Sequence, residues 1–138
     1  DGEREILLAE RPEAHDRPLV FTQEDVRTIQ LTKAAIRAGF DLLLAEHGLA
    51  EEGLDAVLVA GAFGQYLDLD AAQAIGLFPT LPLERFLKIG NAAVDGASHL
   101  LACAAARRRA GEIAREVRHL EPASDPGFQK TFLRRTSL

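Results

Sequence analysis

Residues 55–68 read DAVLVAGAFGQYLD. The run Ala56–Ala60 is apolar without alternation, which predicts a strand buried on both faces in a sheet covered by helices. It stops at Gly61, passes through Ala62 and Phe63 to Gly64, and then turns polar. Glycine at such a step lets the backbone come close to a ligand with no Cβ in the way. Ligands of α/β sheets sit beyond the carboxyl ends of strands. The step is not a dinucleotide fingerprint, because one G-x-x-G lacks the third glycine, and no Gly-Lys-Ser/Thr follows to make a P-loop. Taken alone, it reads first as a tight strand-to-loop turn.

Upstream, Glu5–Ala9 reads as a short strand and ERPEAHDRP, residues 10–18, as a loop. Thr22 is a suitable N-cap for a long helix, with Gln23, Glu24 and Asp25 placing acceptors and negative charge in its first turn. Val26, Ile29, Ile36, Phe40, Leu43 and Leu44 recur at helical spacing as its core face, and Gly48 is its stop. Downstream, a short helix is expected over Asp70–Ile75, and the prolines of FPTLP, residues 78–82, mark a loop. Arg85–Ile89 is a second strand. It runs through Gly90 to Asn91, which caps an alanine-rich helix over Ala92–Arg108. A break near Gly111 precedes a continuation over Ala110–Glu116. Val117–Leu120 then returns as a strand, and Gly127–Leu133 closes the chain as a helix. Strands alternating with helices make the class α/β.

Of the 138 residues, 47% are hydrophobic and 27% charged, as expected of one soluble globular domain. A net charge of −5 offers no electrostatic attraction to nucleic acid or an anionic membrane. No apolar run approaches the roughly 20 residues a membrane-spanning helix needs. The single cysteine, Cys103, excludes a disulfide framework and a four-cysteine iron–sulfur site on this chain, and points to the cytoplasm. With no methionine and with Asp1 opening straight into strand-like sequence, the chain reads as a piece of a longer protein.

Three features could carry chemistry. The glycine step is the first. The second is Lys33, which fills the gap in the apolar stripe between Ile29 and Ile36, with Gln30 and Arg37 beside it. An unpaired buried ammonium is costly, so Lys33 needs an anionic partner or a route to water along its aliphatic stem. The third is KIGNAAVDGA, residues 88–97, where a strand empties into a helix whose free N–H groups suit an anion. Ala92, Ala93, Gly96 and Ala97 let a neighbouring helix approach that one closely, and tight packing explains them as well as a ligand does. The remaining candidates have structural readings. His15, His47, His99 and His119 show no metal-ligand spacing. Arg107–Arg109 suit a helix end, Cys103 a small core position, and Asp68 with Asp70 the cap of the short helix.

Taken in order, FTQEDVRTIQLTKAAIRAG (21–39), VLVAGAFGQYLDLDAAQAIGLFP (57–79), IGNAAVDGA (89–97) and DPGFQKTF (125–132) resemble the C-terminal part of the reductive activators of corrinoid proteins. These are ATP-dependent iron–sulfur proteins of the superfamily that includes actin, hexokinase and the heat-shock-chaperone ATPases. The resemblance implies a ribonuclease-H-like, actin-like ATPase lobe. It places Gly61, Ala62, Phe63 and Gly64 on the adenosine, with Gln30, Lys33 and Arg37 offering polar side chains near the nucleotide. Gly90, Asn91 and Gly96 would then serve a connecting helix with a hinge role. It further implies ATP as ligand, a [2Fe–2S] cluster in an N-terminal domain outside this chain, and a corrinoid protein of a methyltransferase system as partner. A homodimer is a further implied assembly.

The departures matter equally. The family's acidic, glycine- and threonine-containing phosphate motif and its ferredoxin-type cysteines have no counterpart here. This chain is therefore expected to hold part of an adenosine face and no phosphate or magnesium site, and to be inactive alone. Two other readings stand beside it: a sugar- or acyl-kinase-like member of the same superfamily, and a non-catalytic interaction domain.

Overall fold

The computed structural model describes residues 4–10 and 18–137. The loop expected over residues 10–18, with His15, falls largely outside them. Strand β1 (Glu5–Ala9) pairs antiparallel with β2 (Leu19–Thr22), with a register shift between Leu7 and Ala9. Strand β2 was not expected from the sequence, although LVFT has the β-branched and aromatic character of one. Thr22 ends β2 and caps helix α1 (Gln23–Glu46). Its hydroxyl accepts the Asp25 N–H at 3.1 Å, and the Asp25 carboxylate accepts the Thr22 N–H at 2.8 Å. That reciprocal capping box satisfies donors that a helix start otherwise leaves free, and it holds the Asp25 carboxyl below the usual range. The expected stop at Gly48 is present, with φ 63°.

Strands β3 (Val57–Val59) and β4 (Phe86–Lys88) pair in parallel, Val57 with Phe86, Leu58 with Leu87 and Val59 with Lys88. The crossover between them contains α2 (Gly61–Tyr66) and α3 (Leu69–Ala74). Val59, Leu81 and Phe86 form the core there, with Leu54, Val57, Leu69 and Phe78 against them. Phe78 and Phe86 meet at 5.6 Å between ring centroids, and Pro79 is fully buried. Each such side chain withdrawn from water contributes roughly 1.5–3 kcal/mol. Chain reversal in the proline loop is held by Gln73, whose amide donates to the Pro79 and Leu81 carbonyls, each at 2.8 Å.

Helix α4 (Ala92–Ala102), α5 (Ala104–Glu116) and α6 (Pro126–Arg134) complete the fold, and α6 packs on α1. Several expectations need correction. Gly61–Gly64 is the start of a short helix rather than a loop. Leu58 is 61% exposed, so β3 is not buried on both faces, because nothing among the described residues covers that side of a two-stranded sheet. The long alanine-rich helix breaks at Cys103, not near Gly111, which lies within α5. Arg107–Arg109 therefore sit in the first half of a helix, and Cys103 is a half-buried junction rather than a core residue. Val117–Leu120 forms no strand. On α1 the expected core face is largely open, with Ile29, Ile36 and Leu43 exposed, whereas Lys33, Ala34, Arg37 and Ala38 are buried. The two alanines explain the inversion, since small side chains let α6 approach closely. No helix among the described residues is long and apolar enough to cross a membrane.

Candidate functional site

Parallel pairing puts the carboxyl ends of β3 and β4 side by side, and two residues beyond each strand stands a glycine with positive φ, 89° at Gly61 and 64° at Gly90. The ladder runs on into them. Ile89 donates its N–H to the Val59 carbonyl at 3.0 Å, and Gly61 donates to the Gly90 carbonyl at 2.7 Å. The turns at Gly61 and Gly90, 29 positions apart in sequence, thus form one ledge. A Cβ placed at either glycine would meet no heavy atom within 4 Å, so the space beside both backbones is open. Gly64 differs: a Cβ there would stand 2.6 Å from Val59 Cγ1, so this glycine is what lets α2 lie on β3. Phe63 remains 74% exposed. An apolar groove of about 230 Å³ runs beneath it, lined in part by Ile36, Leu58, Phe63, Leu67, Leu77 and Phe78.

The second turn leads into α4. The Asn91 side chain accepts the Val94 N–H at 3.3 Å, the expected cap. Around Gly96 nothing lies within 4 Å of a Cβ position, and no residue of α4 is buried, so close packing on its small residues is not found among the described residues.

Two cations steady the ledge from β4 and its approach. Lys88 Nζ donates to the Gln65 and Leu67 carbonyls, at 3.1 and 2.7 Å, and so holds the end of α2. Arg85 Nη1 donates to the Glu52 and Leu54 carbonyls, at 2.8 and 2.9 Å, and fixes the approach to β3. Sequence pattern passed over both residues. The available signal was a positive charge at each end of an otherwise apolar strand, RFLK.

Gln30, Lys33 and Arg37 stand on α1, whose Ile36 lines the groove beneath Phe63. Gln30 is half-buried. Lys33 Nζ donates to the Ser137 carbonyl and lies 3.4 Å from where a Cβ on Gly76 would stand, so it reaches the end of α3. Burial, and then the charge of Arg135, push its ammonium below the usual lysine range. Arg37 pairs with Glu51 and, at 3.2 Å, with Asp41, and its guanidinium lies over the Phe40 ring at 5.8 Å. Arg135 binds the same Asp41 at 2.8 Å. Burial is also the main influence lowering Arg37, which Asp41 opposes. No described contact joins these α1 residues to Gly61 or Gly90. Among the described residues no group of three His, Cys, Asp or Glu side chains could hold a metal ion.

The chain is 38% identical over 131 residues to corrinoid activation enzyme RamQ of Eubacterium limosum, covering 95% of this chain and 22% of that protein. It is 28% identical over 115 residues to the [Co(II) methylated amine-specific corrinoid protein] reductase of Methanosarcina barkeri, covering 82% and 21%. A solved reductive activator for corrinoid, iron-sulfur protein superposes with a TM-score of 0.85 at 34% identity, covering 96% of this chain and 21% of that one. The chain thus spans about a fifth of the length of these relatives. The family model for the C-terminal domain of RACo, the ASKHA domain, matches residues 1–138, and the chain belongs to that family.

Proposed function

We propose that this chain supplies the adenosine-side lobe of an ATP-driven activator that returns a corrinoid protein from cob(II)alamin to cob(I)alamin for methyl transfer. The observation that carries the reading is the paired glycine ledge, where two turns at the carboxyl ends of parallel strands leave open backbone side by side. Names of the relatives support the corrinoid protein as partner. In this reading Gly61, Ala62 and Phe63 face the adenosine, Gly64 serves them by letting α2 lie on β3, and Gly90 with Asn91 forms the hinge side. Bound ATP supplies the free energy for an uphill electron transfer, and the residues here position its adenosine. A [2Fe–2S] cluster, the phosphate-binding residues, a homodimeric assembly and a cytoplasmic location belong to the same proposal for the intact protein.

Gly61→Val in the intact protein tests it. Valine at φ 89° is strained by roughly 1–3 kcal/mol. Its side chain would also occupy the open space on the ledge. We expect a retained circular dichroism spectrum with at least a tenfold loss of ATP affinity by calorimetry. Equal affinity would reduce the ledge to a structural turn. Gln30, Lys33 and Arg37 offer polar side chains near the nucleotide in the same reading, with Lys33 engaged by the Ser137 carbonyl and Arg37 by Asp41 and Glu51 in the structure. Lys33→Ala with unchanged affinity removes Lys33 from the site and leaves the ledge standing.

A further inference from the structure

The stretch from Ala92 to Glu116 holds no proline, and its glycines, Gly96 and Gly111, both lie within regular helix. Around the break the sequence is LLACAAARR, residues 100–108, rich in strong helix formers. Yet Cys103 is extended, with φ −128° and ψ 111°. Packing among the described residues does not impose this, since no residue of α4 or α5 is buried, and Cys103 gives α5 no side-chain cap. One side chain spans the break. Arg107 Nη1 donates to the Leu100 carbonyl at 2.6 Å and to the Leu101 carbonyl at 3.0 Å. In an uninterrupted helix these two oxygens accept the N–H groups of Ala104 and Ala105. Bent and straight forms therefore compete for the same two acceptors.

We propose that α4 and α5 are two settings of one helix, bent while Arg107 latches the last carbonyls of α4 and straight when the latch opens. Asn91 caps helix α4, directly after the Gly90 carbonyl that holds Gly61. Straightening consequently swings α5 relative to the glycine ledge. Beyond its far end the exposed Arg118–Glu46 pair at 3.3 Å adds little resistance.

Genetically encoded spin labels at the exposed positions 94 and 115 of the intact polypeptide test the latch. A straight helix separates their backbones by about 30 Å. Wild type is expected to show a shorter distance, and Arg107→Gln to raise the ~30 Å population at least tenfold. The Ala104 and Ala105 amides should gain hydrogen-exchange protection to match. Adding Ala104→Pro should restore the short distance, because proline fits the first turn of α5 and Cys103 already lies near the conformation required before proline. Two outcomes overturn the proposal: a short distance that persists in Arg107→Gln, or a long distance that survives Ala104→Pro.

Discussion

Lys33 is the residue whose burial least resembles a sequence rule. Lys33 is 5% exposed, and its ammonium meets the carbonyl of Ser137 and no carboxylate among the described residues. Free lysine titrates near ~10.4, and burial holds Lys33 below that. Below its folded value the group is charged in folded and unfolded chains alike, and the cost of burial is constant. Between the folded value and ~10.4 the folded chain has released a proton that the unfolded chain keeps, so stability rises with pH across that window. Lys33→Met should be more stable than wild type at neutral pH and should lack this alkaline rise. Denaturant titrations of both proteins check it, and parallel pH profiles would show that the ammonium is solvated. The glycine step separates into two roles at the same scale. Gly64→Ala drives a Cβ into the stiff, buried Val59 side chain and should cost about 1–3 kcal/mol. ATP affinity of the folded fraction should be unchanged, in contrast to Gly61→Val.

At the scale of elements, the seam between α1 and α6 depends on Asp41. Its carboxylate accepts from Arg37 Nε at 3.2 Å and from Arg135 Nε and Nη2 at 2.8 and 3.1 Å. Asp41→Asn leaves a buried guanidinium underpaired. Removing one partner of a fully buried pair costs roughly 3–5 kcal/mol. Arg135 is partly solvated, so about 2–3 kcal/mol is expected here, with faster amide exchange in α6. A loss under ~0.5 kcal/mol would mean that the seam does not depend on Asp41. Local signals predicted elements well. Thr22 with Asp25, Gly48, Asp68 and Asn91 each announced a boundary the structure contains, because capping is decided within four residues of sequence. Orientation was not local. Lys33 meets a partner 104 positions away, so the sequence pattern alone could not show that α1 buries its Ala34–Ala38 face. The break at Cys103 was illegible for another reason: a single arginine side chain, not glycine or proline, bridges it.

For the whole molecule, the glycine ledge was legible as two separate strand ends, and their union was not, because parallel register depends on the crossover between them. The same sheet shows what these residues leave uncovered. Leu58 and Leu87 are register partners on one face, 61% and 47% exposed, while Val59 and Phe86 face the core at 8% and 6%. Phe63 and Tyr66 extend the apolar surface past the ledge. Adjoining apolar residues on this scale mark a contact surface. Produced alone, these 138 residues should bind a hydrophobic reporter dye and self-associate at micromolar concentration. Replacing the exposed pair with Leu58→Glu and Leu87→Lys puts opposite charges across from each other, an arrangement a sheet tolerates, and leaves the buried face untouched. Dye binding and self-association should fall together while the melting temperature moves little. A melting temperature that collapses instead would place Leu58 and Leu87 in the core of the isolated chain and overturn the two-faced reading of the sheet.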